Sequence, residues 1–304
     1  MADDRRLGID LGGTKIEAAV VASDGEVLAR ERCATPSTDY RGTVEAIARL
    51  ALDLEARTAG PGALRTGICT PGAISPATGR MKNANSTCLN GQPLKQDLEA
   101  ALGREIRMAN DADCLAVSEA VDGAAAGAHS VFAVILGTGC GGGLYLNGAL
   151  LQGPNAIAGE WGHNPLPWPR PDWDEVPGPR CWHGGHGCLE TWLSGSGLAD
   201  DHARRHARIP AEQVVAGFRA GDAGCVETLE RYFDRLARAL AAVINLVDPQ
   251  VIVLGGGVSR VAEIYRQVPS RWGRWVFSDR VDTRLVAAAH GDSSGVRGAA
   301  WLWP

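Results

Sequence analysis

One pattern occurs twice in this chain and limits what it can fold into. Leu7-Gly8-Ile9 is apolar and ends at Asp10; a Gly/Thr turn follows. Lys15 to Val21 is β-permissive, Asp24-Gly25 is a hairpin signal, and Glu26 to Arg32 completes a third strand. Near residue 131 the order recurs. Val131 to Leu136 ends in Gly137-Thr138-Gly139, Gly142 to Leu146 is a second strand, and Asn147-Gly148 is another hairpin turn. Two copies of one α/β unit in 304 residues predict two domains, in keeping with roughly 150 residues each. Helices are predicted over 39–57, 93–102, 111–121, 222–246 and 294–301, and further short strands over 65–69, 106–109 and 251–254. In the longest helix Val226, Leu229, Phe233, Leu236, Leu240, Val243 and Val247 step by threes and fours, a core or subunit-packing face.

Composition narrows the function classes. Thirty Lys and Arg against 35 Asp and Glu give a net charge of −5, a poor basis for nucleic-acid binding, which rests on basic surface. No apolar run approaches the ~20 residues of a membrane helix. The opening Met1-Ala2-Asp3-Asp4-Arg5-Arg6 has no apolar signal core. Eight cysteines in such a chain predict reduced thiols or metal ligands rather than a disulfide framework, and a cytosolic location.

Three Gly-rich turns each follow an apolar strand: Asp10-Leu11-Gly12-Gly13-Thr14-Lys15, Gly137-Thr138-Gly139, and Gly255-Gly256-Gly257. Backbone N–H groups with no Cβ in the way can approach phosphate oxygens closely. The dipeptide Gly-Lys is absent, so there is no Walker A loop. Gly137, Gly139 and Gly142 fit a dinucleotide fingerprint in spacing, but that motif must open a helix, and here strand and hairpin follow. A carboxylate at Asp10 would repel phosphates unless it orients Mg²⁺, directly or through water.

These residues resemble the ROK family (repressors, open reading frames, kinases) of sugar kinases, within the actin/hexokinase-like ATPase superfamily. The likeness extends through Asn110-Asp111, Glu160-x-Gly162-His163, the Cys/His cluster up to Glu190, and Gly255–Gly257. It implies a two-domain actin/hexokinase-like (ribonuclease H-like) α/β fold with a cleft between the domains. The expected division is 1–118 plus 291–304 against 119–290. Residues 82–87, 89–93 and 290–298 resemble bacterial fructokinases, which implies ATP-dependent phosphorylation of D-fructose. A kinase preferring glucose, mannose or an N-acetylhexosamine is the alternative, and a catalytically inactive sugar sensor a more distant one. By resemblance Asp111 is the catalytic base, and Gly72, Asn85, Asn110, Asp111, Glu160, His163 and Glu190 hold the sugar. ATP with Mg²⁺ meets the three loops. Family enzymes are commonly homodimers.

Residues 153–188 are rich in Pro and Trp and read as one long irregular, functional loop. Within it His163 is followed by Cys181-Trp182-His183-Gly184-Gly185-His186-Gly187-Cys188. Structural zinc sites are closed tetrahedra of Cys and His. Related kinases present one His and three Cys; here His183 stands where the middle Cys would be. The expected ligands are therefore His163, Cys181, His183 and Cys188, with His186 as a possible substitute.

Overall fold

The computed structural model describes residues 5–60 and 64–303; the first four residues, part of the opening read above, lie outside the described ones. The chain divides into two compact units. One comprises Met1–Gly127, Gly148–Ala158 and His290–Pro304, the other Ala128–Asn147 and Gly159–Ala289.

In chain order the elements are β1 (Arg6–Leu11), β2 (Lys15–Val21), β3 (Val27–Ala34), α1 (Tyr40–Thr58), β4 (Arg65–Thr70), β5 (Ala73–Ile74), β6 (Met81–Lys82), α2 (Leu94–Leu102), β7 (Ile106–Asn110) and α3 (Asp111–Val121). Next come β8 (Ser130–Leu136), β9 (Cys140–Leu146), β10 (Ala149–Leu150), α4 (Glu190–Leu193), α5 (Gly195–Ala203), α6 (Ala211–Ala220) and α7 (Ala223–Val247). The last are β11 (Val251–Gly255), α8 (Ile264–Gln267), α9 (Pro269–Trp272), β12 (Arg284–Ala287) and α10 (Ser294–Ala300).

In the first unit the strand order is β3-β2-β1-β4-β7. β1 runs antiparallel to β2 and parallel to β4, and β4 parallel to β7. Alternation is lost in β2, where every residue from Ile16 to Val21 is buried, because helices cover both faces of the sheet. On one face α1 contributes Ile47, Leu50 and Leu54 and α2 contributes Leu94 and Leu98 to a common core with Leu7, Ile9 and Ile68. On the other, α10 packs against α3, β1 and β4.

The second unit repeats the plan. Its strands run β9-β8-β11-β12, with β8–β9 antiparallel and β8–β11 and β11–β12 parallel. This matches β2-β1-β4-β7 and bears out the internal repeat. α7 supplies the core: Leu229, Phe233, Leu236 and Leu240 are at most 1% exposed. Asp222 caps it, its carboxylate accepting the Cys225 N–H at 2.9 Å.

The observed division differs from the expected one by one residue at the C-terminal return, which begins at His290, and more widely in two places. The first unit continues to Gly127, and the long loop is split, since Gly148–Ala158 groups with the first unit. There Lys82 donates to the Asn155 carbonyl at 3.3 Å.

Candidate active site

In the first unit the sheet register decides which side chains meet. Asp10 of β1 is level with Cys69 of β4, which is level with Ala109 of β7. Asp111 follows two residues later as the first residue of α3. Two strand spacings of ~4.8 Å separate the two ends by roughly 10 Å. Asp10 senses Asp111. Burial pushes Asp10 up to about 6; the Cys69 thiol hydrogen-bonds to it and lowers it, while Asp111 and Glu17 raise it further. Burial also raises Asp111, partly offset by backbone N–H groups, including the Ala112 N–H at 2.8 Å from Oδ1. Asp111 is nonetheless open to solvent. The helix cap is Asn110, not Asp111: its Oδ1 accepts the Asp113 N–H at 2.6 Å.

The Asp10–Lys15 turn joins β1 to β2, with the Gly12 N–H bonded to the Lys15 carbonyl at 3.0 Å and Gly13 and Thr14 exposed. Lys15 lies 3.9 Å from Glu17, a buried carboxylate also paired with Arg30 at 2.8 Å and Arg32 at 2.6 Å. Asn85 is exposed on a turn beside Gly13, where Ser86 Oγ would lie 3.8 Å from an added Cβ. Asn90 holds that turn through two bonds to the Ala84 backbone, both 2.9 Å. A cavity of about 230 Å³ opens beside Gly72 and Asn110 and is walled by Ile74, Met108, Leu151 and Ala156.

In the second unit Gly137-Thr138-Gly139 turns β8 into β9, with the Gly137 N–H on the Gly139 carbonyl at 3.0 Å. Gly256 has φ +83°, and a Cβ there would sit 2.5 Å from the Leu136 carbonyl oxygen. Only glycine lets the two turns approach this closely. A cavity of about 650 Å³ touches Gly137, Thr138 and Gly257 and extends between α5 and α6, past Ser196, Val215 and Arg219. The sequence reading missed this part. The available signal was the run Ser194-Gly195-Ser196-Gly197, small residues at a helix start, where Ser194 Oγ accepts the Gly197 N–H at 3.0 Å.

Glu160 and His163 bracket a single turn pressed onto β9. Trp161 is buried there and donates to the Gly141 carbonyl at 3.0 Å. A Cβ at Gly162 would meet the Cys140 carbonyl oxygen at 1.9 Å, so that position accepts only glycine. Glu190, first residue of α4, accepts the Cys140 N–H and the Trp182 indole N–H, each at 3.1 Å. The Trp182 ring stands edge-on to His163, with centroids 5.3 Å apart.

The Cys/His cluster assembles. One donor atom each from His163, Cys181 and His183 lies within 4.8 Å of the others. His163 Nδ1 is 3.7 Å from Cys181 Sγ, and His183 Nε2 is 3.0 Å from Cys188 Sγ. A tetrahedral zinc site with bonds of 2.0–2.3 Å has ligand–ligand edges of about 3.6 Å; His163, Cys181 and His183 supply three donors of the type such an ion takes, while Cys188, the fourth expected ligand, touches His183 but stands outside that three-residue group. His186 is exposed and stands outside the three-residue group, in a bridge with Arg180.

The sequence matches the ROK family over residues 6–304. The chain belongs to the ROK family. It is 39% identical over 301 residues to an N-acetyl-D-glucosamine kinase of Vibrio cholerae serotype O1, covering 97% of this chain and 98% of that one. Among solved structures it resembles a ROK hexokinase from Thermus thermophilus, with a TM-score of 0.86 and 31% identity over 98% and 97% of the two chains. A ROK glucokinase from Streptomyces griseus, in complex with glucose and AMPPNP, gives a TM-score of 0.75 and 29% identity over 97% and 98%. This ROK protein is a sugar kinase with the actin/hexokinase-like ATPase fold.

Proposed function

We propose that this chain transfers the γ-phosphoryl group of ATP to the 6-hydroxyl of an N-acetylhexosamine, with N-acetyl-D-glucosamine the first candidate. The observation that carries the chemistry is the placement of Asp10 and Asp111 at the ends of β1 and β7, two strand positions apart on one sheet, close enough for Asp111 to raise the Asp10 pKa. Fructose, expected from residues 82–93 and 290–298, gives way to the N-acetylhexosamine alternative, because the relative with 39% identity is an N-acetyl-D-glucosamine kinase. The cavity next to Gly72 and Asn110, where Ile74, Met108 and Leu151 sit among polar Thr70, Asp113 and Gln152, offers room for an acetamido group that fructose and glucose lack.

In this reading Asp111 takes the proton of the 6-hydroxyl as that oxygen bonds to the γ-phosphorus and the bond to ADP breaks. Its raised pKa makes it a better base than an ordinary aspartate. The transition state is loose, so holding the reactants in line contributes more than the base. Asn85, Asn110, Glu160, His163 and Glu190 fix the sugar. With Asn110 Oδ1 in the helix cap, its Nδ2 is the group left to donate. The Gly12–Lys15, Gly137–Gly139 and Gly255–Gly257 turns hold the phosphates, and the 650 Å³ cavity takes the nucleoside.

Two ions fit the residues. Asp10, Glu17 and Asp111 concentrate negative charge near Lys15, and a magnesium ion held by Asp10, directly or through water, would relieve it and neutralise phosphate charge. Zinc on His163, Cys181, His183 and Cys188 would brace the loop and fix the His163 tautomer, leaving its Nε2 for a sugar hydroxyl. The homodimer implied by the resemblance and the cytosolic location expected from the cysteines belong to the same proposal; no helix among the described residues is long and apolar enough to cross a membrane.

The test is a coupled assay of ADP release across N-acetylglucosamine, N-acetylmannosamine, glucose, mannose and fructose. An N-acetylated hexose with the highest kcat/KM supports the reading. Highest kcat/KM for fructose or glucose overturns the substrate assignment, and no sugar-dependent ADP release overturns the reaction.

A further inference from the structure

The loop that carries Glu160 and His163 at one end and Cys181 to Cys188 at the other has few apolar anchors of its own. It is held from the middle by charge. Arg231, Arg235 and Arg238 lie on one face of α7 with side chains 3%, 1% and 0% exposed. Glu175 comes off the loop to meet two of them. Its Oε1 accepts from Arg235 Nε at 2.7 Å and from Arg238 Nη2 at 2.8 Å; its Oε2 accepts from Arg238 Nη1 at 2.9 Å and from the Arg170 N–H at 2.7 Å. Arg238 also donates to the Pro167 and Trp168 carbonyls at 3.1 and 2.8 Å. Arg235 reaches Asp201 of α5 at 2.8 Å and lies 4.2 Å from the ring centroid of Trp192, two residues after Glu190 on α4.

An apolar replacement of such a knot is often as stable or more so. What charge pairs supply in addition is register, since each bidentate bond is satisfied in one geometry only. We propose that Glu175 and Arg235 are positioning residues for sugar binding. Glu175 fixes the loop between its two functional ends, and Arg235 ties that point to the short helix bearing Glu190. Neither touches substrate. The inference rests on the reading that Glu160, His163 and Glu190 hold the sugar.

The experiment measures KM for sugar and for ATP separately in the full-length enzyme, for Glu175→Gln, Arg235→Lys and Glu160→Gln, with thermal melts of each. Glu175→Gln is expected to raise the sugar KM at least tenfold and the ATP KM less than twofold, with Arg235→Lys intermediate because it keeps the charge. If Glu175→Gln is insoluble, the same split is required of Arg235→Lys alone. Equal rises in both KM values, or a lowered melting temperature with neither KM moved, overturn the proposal. A raised sugar KM in Glu160→Gln without one in the two knot variants overturns the positioning role alone; an unmoved sugar KM in Glu160→Gln overturns the site reading beneath it.

Discussion

Replacing Asp10 with Asn should make the protein more stable and abolish its activity. The Asp10 carboxyl is pushed up to about 6 from 3.8, first by burial and then by Asp111 and Glu17. At about 1.4 kcal/mol per pH unit, holding it ionised above pH 6 costs the folded protein up to about 3 kcal/mol. Between pH 3.8 and about 6 the folded chain binds a proton that the unfolded chain has released, so stability falls as pH rises through that window. Asn has the same shape, can still accept from the Cys69 thiol and carries no charge. In a chelating buffer free of magnesium, Asp10→Asn should therefore exceed wild type by about 1–3 kcal/mol at pH 7.5 and by little near pH 4. Urea unfolding at the two pH values measures this. An Asn variant no more stable than wild type at pH 7.5, or equally advantaged at both, would refute the electrostatic reasoning.

Two further outcomes follow from the site. Burial raises Asp111, and the base must be ionised to accept a proton. The acid limb of kcat/KM should then lie above the ordinary aspartate value of 3.8, with activity falling as pH drops through it; a profile flat down to pH 4 counts against the assignment. Removal of metal by a strong chelator should release zinc, lower the melting temperature and raise the sugar KM together. His183→Ala should mimic this and His186→Ala should not; the reverse would move the ligand to His186.

The repeated strand–turn–strand plan was legible because its signals are local. Gly/Thr turns and Asp-Gly or Asn-Gly hairpins set β1 to β3 and β8 to β9, and the spacing of apolar residues set α7 to within a residue at each end. Asp111 was legible as a helix start, although the cap is Asn110, whose oxygen is one residue better placed to reach the Asp113 N–H. The charged knot was not legible. Arg235 and Arg238 sit among apolar residues on a helix; their partner Glu175 is 60 residues away from Arg235, and nothing local announces that pairing. α5 and α6 were missed for a related reason. Both are short, and in α6 Val214 is the one buried residue among those described, so their apolar stripes are too narrow to stand out. The edge strand β12 has only half-buried or exposed residues, which removes the alternation that marks a strand.

The central assignment is tested most directly by Asp111→Asn, with N-acetylglucosamine affinity from calorimetry and phosphoryl transfer followed by ³¹P NMR on the same preparation. Sugar binding within a few-fold of wild type is expected, with 6-phosphate formation slowed by roughly 10²–10⁴-fold, the usual contribution of a positioned base. Near-normal formation of the 6-phosphate by this variant would contradict it.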